Sequence, residues 1–172
     1  MSKSRRTAKS SRKARAEELF IRADQQDDKR NFRSAFRLFL AGAKLGEKGC
    51  QVNVGNYYDD AKGIRRNRKA ALYWYKRAYR GGIASAAHNI GILWRNDKNP
   101  ERALTWFKKA AHMGDDQANL EIAKYFLQTK PNPDKAIRHL KRVCESEWVS
   151  EAAVEEATKL LKGAAKIRNP AR

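Results

Sequence analysis

Asn67-Arg68-Lys69-Ala70-Ala71-Leu72-Tyr73-Trp74-Tyr75 and Asn99-Pro100-Glu101-Arg102-Ala103-Leu104-Thr105-Trp106-Phe107 are two copies of one pattern. In each, an Asn stands four residues ahead of an Ala that opens an apolar, aromatic stretch. Looser copies follow Asn31 (Ala35-Phe36-Arg37-Leu38-Phe39) and Asn132 (Ala136-Ile137-Arg138-His139-Leu140). The four Ala positions are separated by 36, 32 and 33 residues. A unit recurring at roughly 30–45 residues marks stacked helical repeats, because a lone helical pair cannot bury its apolar face and must stack on a neighbour.

Around these stretches the helices are punctuated. Apolar residues at 71, 72, 75, 78 and 79, and at 103, 104, 107, 110 and 111, share one helix face. Asn is a good N-cap, since its side chain accepts from an N–H of the first turn. Pro100 and Pro133 sit at the first helical position, where the missing N–H costs nothing. Glu101 and Asp134 follow, where the helix dipole favours negative charge. Gly46, Gly81 or Gly82, and Gly114 fall where a left-handed C-terminal residue is expected. The fourth unit has Glu145-Ser146 there, which implies an end reshaped by its neighbour.

Each unit also has a first helix: Val54-Gly55-Asn56-Tyr57-Tyr58, Ile90-Gly91-Ile92-Leu93-Trp94 and Ile122-Ala123-Lys124-Tyr125-Phe126. A mid-helix Gly costs about 1 kcal/mol against Ala, so Gly55 and Gly91 predict close approach of the second helix. Residues 16–29 are helical in pattern, with Leu19, Phe20 and Ala23, but lack the motif.

The stretch from Gly63-Ile64-Arg65-Arg66 through Ala70-Ala71-Leu72-Tyr73-Trp74-Tyr75-Lys76-Arg77-Ala78 closely resembles the Sel-one-like repeat family, a relative of the tetratricopeptide repeat. Pro100-Glu101-Arg102-Ala103-Leu104-Thr105-Trp106-Phe107-Lys108-Lys109-Ala110-Ala111 resembles it equally. Asn stands here in place of the family's usual Asp before the second helix, and the full glycine loop occurs once. The resemblance implies stacked helical hairpins and a scaffold for protein complexes. The expected architecture is an all-α, right-handed superhelical solenoid of about four antiparallel hairpins. The units are 16–46, 49–81, 84–114 and 116–146, followed by a capping helix over 148–163. A disordered basic tail over 1–15 and a short basic tail over 164–172 flank them.

The chain carries 38 Lys and Arg against 19 Asp and Glu, a net charge of +19. Residues 1–15 hold seven basic residues and no acid, and residues 47–81 hold nine against three acids. Three readings of this basic block stay open. It is a solubilising tail or the basic half of a contact with an acidic protein; it binds nucleic acid or an anionic surface; or it is an organelle transit peptide. The anion-binding candidates are Arg5, Arg6, Arg12 and Lys13 in the tail and Arg65, Arg66, Arg68 and Lys69 in the loop of the second unit. That loop run sits at a helix N-terminus, where backbone N–H groups also favour anions.

Other chemistry is not predicted. The two cysteines, Cys50 and Cys144, read as buried thiols in a reducing, cytoplasmic setting. The three histidines have no Cys or His at metal-ligand spacing. No phosphate loop, nucleophile elbow or paired-carboxylate signature appears. No apolar run approaches the ~20 residues that span a membrane. Neither enzyme activity nor a cofactor nor a metal is expected, and the oligomeric state is not set. The partner expected is a peptide or another protein, acidic in one reading, held in a groove lined by first-helix positions Asn53, Tyr57, Asn89, Leu93, Glu121 and Tyr125.

Overall fold

The structure is a computed structural model that describes the backbone of residues 2–168 and the side chains of residues 9–167. Nine α-helices and no strands occur among the described residues, arranged in two compact units, Met1–Ile83 and Ala84–Arg172. The first contains α1 (Ser2–Asp28), α2 (Phe32–Leu45), α3 (Lys48–Asp59) and α4 (Arg68–Arg80). Here α1 packs on α2, α2 on α3 and α3 on α4. The second contains α5 (Ala84–Asn96), α6 (Pro100–His112), α7 (Ala118–Gln128), α8 (Pro133–Glu145) and α9 (Glu151–Arg168). There α5 packs on α6, α6 on α7, α7 on α8, and α9 covers α8.

The starts of the second helices, α2, α4, α6 and α8, follow the Asn pattern with one exception. Asn67, Asn99 and Asn132 each accept, through the side chain, the N–H three residues on, at 3.0, 3.1 and 3.0 Å. Asn31 makes no such bond. Its own N–H donates to the Gln26 carbonyl while its side-chain amide donates to the Gln26 side chain, so it closes α1 instead. Left-handed glycines end three helices, Gly46 (φ 103°), Gly82 (φ 89°) and Gly114 (φ 91°), whereas Gly81 stays helical. The fourth unit ends at Ser146 in extended backbone, its hydroxyl donating to Asp116 at 2.7 Å.

In the first unit, Phe39, Val54, Tyr57 and Cys50 are buried with Ala35 and Ala43, and Phe20 meets Phe39 edge to face. In the second, Ile90, Leu93, Phe107, Ile122 and Leu140 are buried. Gly55 and Gly91 have the expected reason: a Cβ on Gly55 would strike the Tyr75 ring, and one on Gly91 would lie 2.5 Å from the Phe107 ring.

Two segments differ from the sequence expectation. Residues 2–15, expected to be disordered, form the N-terminal half of α1. They hold no Gly or Pro, and good formers such as Ala, Arg and Lys extend a helix already nucleated by the packed residues after them. The capping helix starts at Glu151, leaving Trp148 outside it and 89% exposed, and runs on to Arg168. Residues 169–172 of the expected C-terminal tail lie outside the described residues.

Candidate functional site

The first-helix positions expected to line a groove divide by burial. Tyr57 and Leu93 are core residues, 2% and 1% exposed, and this corrects their assignment as groove-lining. Asn53, Asn89, Glu121 and Tyr125 are half-buried. The cause is rotational register. In α3 and α5 the residue three after the branched apolar position (Tyr57 after Val54, Leu93 after Ile90) points inward. In α7 the residue four after Ile122, Phe126, is buried instead and Tyr125 turns out. Phe126 stacks on His139 of α8, which stands where Trp74 and Trp106 stand in α4 and α6.

Tyr57 is held chemically as well as sterically. Its hydroxyl donates to Asp27, whose other oxygen receives Lys62 at 2.7 Å. Burial works against the Asp27 charge, but these bonds outweigh it and hold its pKa below the usual range. Burial and the Asp27 carboxylate push the Tyr57 hydroxyl up.

In the second unit, Tyr125 and Glu121 border a pocket of about 160 Å³ with Leu104 and Phe107 among its walls. Arg95 on α5 pairs with Glu121, Lys124 lies 3.4 Å from Glu121, and Glu156 on α9 meets Lys124 at 2.9 Å. The Glu121 side chain is only 12% exposed, and both cations lie against it. Sequence reading found Glu121 and Tyr125 but not Arg95 or Glu156, which stand 26 residues before and 35 after Glu121 and share no periodicity with it.

The basic candidates fall in two concavities of the first unit. Arg65, Arg66, Arg68 and Lys69 border one of about 650 Å³, walled by Phe36, Tyr58 and Ile64. Arg66 is also paired with Asp59 at 3.1 Å. Arg12 and Lys13 border another of about 750 Å³ beside the α2–α3 turn. The side chains of Arg5 and Arg6 lie outside the described residues.

The remaining titratable groups serve the fold. His88 lies 3.2 Å from Asp115, which also caps α7 by accepting the Ala118 N–H at 3.1 Å. Burial raises the Asp115 pKa, but His88 and the α7 N–H groups more than reverse this and leave it lowered. His139 bonds Asn119 at 2.8 Å, and burial followed by nearby cations lowers its pKa. Burial and Glu47 push the Cys50 thiol up, while Cys144 is half-buried. No group of three His, Cys, Asp or Glu able to hold a metal occurs among the described residues. No helix there is long and apolar enough to cross a membrane.

Antiparallel hairpins repeated at this period define a helical-hairpin repeat protein, a solenoid class. The Sel1 repeat pattern matches residues 22–47, 49–83, 84–115 and 117–146, and the chain belongs to the Sel1 repeat family. It is 29% identical over 109 residues to an F-box protein of Arabidopsis thaliana, covering 61% of this chain and 30% of that protein. Among solved structures it resembles a Sel1 repeat protein from Oxalobacter formigenes, with 26% identity, a TM-score of 0.58, and coverage of 75% of this chain and 54% of that one. It shares its fold with a protective antigen of uropathogenic Escherichia coli, with 16% identity, a TM-score of 0.71, and coverage of 87% and 38%. The chain thus spans well under two thirds of each of these relatives. The Sel1 repeat fold is in general a non-enzymatic scaffold for protein–protein interaction.

Proposed function

We propose that this chain is a non-enzymatic adaptor, and that its second unit holds a peptide or partner protein at the pocket formed by α5, α6 and α7. The supporting observation is the combination of apolar walls from Leu104 and Phe107, the half-exposed Tyr125, and the charge network that joins α5, α7 and α9 at the rim. An apolar partner side chain would enter beside Tyr125. Arg95, Glu121 and Lys124, fixed by one another, would orient the polar groups around it. Asn89 of the same unit, and Asn53 in the other, remain candidate contacts. Free cysteines suit a cytoplasmic setting.

The test is tagged purification with nuclease and a high-salt wash, repeated with Tyr125→Ala. Truncating an aromatic hot spot costs about 2 kcal/mol, so the partner should bind roughly 30-fold more weakly. An unchanged partner set with Tyr125→Ala at wild-type helicity refutes this placement. A second reading, an anionic ligand, is favoured by the α4 start. There the first turn has no acid and four basic side chains surround an aromatic-walled concavity. Such binding would fall about a thousandfold or more between 50 and 200 mM salt if six to ten phosphates were contacted.

A further inference from the structure

We propose that the cleft between α1 and the α2–α3 turn docks an acidic amphipathic helix of a partner protein. The argument begins with length. At 1.5 Å per residue the 27 residues of α1 span roughly 40 Å and the 14 of α2 roughly 21 Å. The helices are antiparallel, and the Ala16 carbonyl lies 3.4 Å from where a Cβ on Gly42 would stand, close to the α2 C-terminus. Since α2 continues only three residues beyond Gly42, the residues before about Lys13 run past its end.

The face of α1 that enters the core carries Ala16 and Ala23, both buried, with Phe20 beside them. Counting back from Ala16 by three, four and seven residues gives Lys13, Arg12 and Lys9, which continue that face. One stripe thus changes from apolar to basic where α2 stops covering it, and its three cations are exposed. Across the cleft stand Leu45, half-buried at the end of α2, and Lys48 at the start of α3.

An apolar floor of Ala16 and Leu45 under a basic rim complements a helix with one apolar seam flanked by Asp and Glu. Nucleic acid fits less well. Each strand of a duplex presents one phosphate per ~3.4 Å of helix axis, so its charge is continuous along the cleft, would pass Glu17 and Glu47, and would leave Leu45 without an apolar contact. A peptide can set its carboxylates at Lys9, Arg12 and Lys48 alone. Glu17 already lies 3.6 Å from Lys13, and Glu47 accepts the Cys50 N–H. A second copy of this chain, at +19, is repelled.

The proposal rests on the scaffold reading only in that the partner is a protein. It uses no residue of the α5–α7 pocket, so Tyr125→Ala leaves it unaffected. The test titrates the isotope-labelled full chain with a synthetic 18-residue helix carrying Leu at three- and four-residue spacing, Glu on both flanks and no basic residue. Amide shifts should concentrate at residues 9–17 and 45–48. Lys9→Glu with Arg12→Glu should weaken binding at least tenfold at unchanged melting temperature, since both side chains are exposed. A control peptide with Ser for every Leu should bind at least fivefold more weakly. No saturable binding overturns the proposal, as do shifts centred on 65–69 or 95–129, indifference to the charge reversal, or equal binding of the Ser peptide. Displacement of the peptide by an equal concentration of a 20-base-pair duplex would assign the cleft to nucleic acid instead.

Discussion

Gly91→Ala should destabilise the Ala84–Arg172 unit, whereas Gly163→Ala should stabilise it, although the chemical change is the same. Both glycines lie inside helices, α5 and α9, of one compact unit, so both report on the same unfolding. Each substitution removes glycine's helix penalty of roughly 0.5–1 kcal/mol. Around Gly163 nothing lies within 4 Å of the new Cβ, and that gain stands alone. At Gly91 the Cβ would stand 2.5, 2.6 and 3.0 Å from three atoms of the Phe107 ring. The ring is 2% exposed and meets His88 edge to face at 5.4 Å, so it has little room to swing away. Overpacking of this kind costs about 1–3 kcal/mol. Taking about 2 kcal/mol and subtracting about 1 for the helix penalty leaves Gly91→Ala about 1 kcal/mol less stable. Urea unfolding followed by far-ultraviolet circular dichroism should move the midpoints in opposite directions with an unchanged slope. Adding Phe107→Leu to Gly91→Ala should recover part of the loss through a favourable coupling between the two sites. Stabilisation by Gly91→Ala comparable to Gly163→Ala would refute the close packing of α5 on α6.

The Asn caps give a matched comparison: Asn67→Ala, Asn99→Ala and Asn132→Ala should each cost about 1 kcal/mol by thermal or urea unfolding, whereas Asn31→Ala should cost clearly less because its side chain makes no N-cap bond and only an exposed bond to Gln26. Acid should act in two stages, since His139, Asp27 and Asp115 all have lowered native pKa values. Between each native pKa and the unfolded value, about 6.5 for His and 3.9 for Asp, the unfolded chain binds more protons, so stability falls as pH drops through that window. A melting-temperature profile should therefore decline first below about pH 6.5 and again below about pH 4, with Asp115→Asn flattening the second decline and His139→Gln the first. A flat profile from pH 7 to 5 in the wild type would refute the His139 assignment.

What the sequence made legible were features governed by neighbours along the chain. The 36-, 32- and 33-residue intervals, the Asn caps and the glycines at 55 and 91 belong to this class. Asn31 shows its boundary, because the three-residue spacing that permits a cap is intact. A tight turn through Arg30 (φ 59°) instead spends the residue on closing α1. Composition misjudged residues 2–15 for a related reason. A segment with nothing to bury need not nucleate a helix, but it can extend one that packing has already formed.

Two of the groove positions, Tyr57 and Leu93, failed differently. On a 3.6-residue helix, both the third and the fourth residue after a buried one lie near the same face, so sequence spacing cannot choose between Tyr57 and Tyr58 or between Tyr125 and Phe126. The facing helix makes that choice. His139 replaces the indole found at Trp74 and Trp106, and Phe126 stacks on it, which turns Tyr125 outward. If that contact sets the register, one residue on α8 decides which α7 side chain is exposed. His139→Trp should then favour the register of the other hairpins and draw Tyr125 inward, readable as a loss of Tyr125 exposure by fluorescence quenching in a variant whose other tyrosines are Phe. Unchanged exposure of Tyr125 would show that the α7 register is set by its remaining contacts, with α9 the first of them to examine.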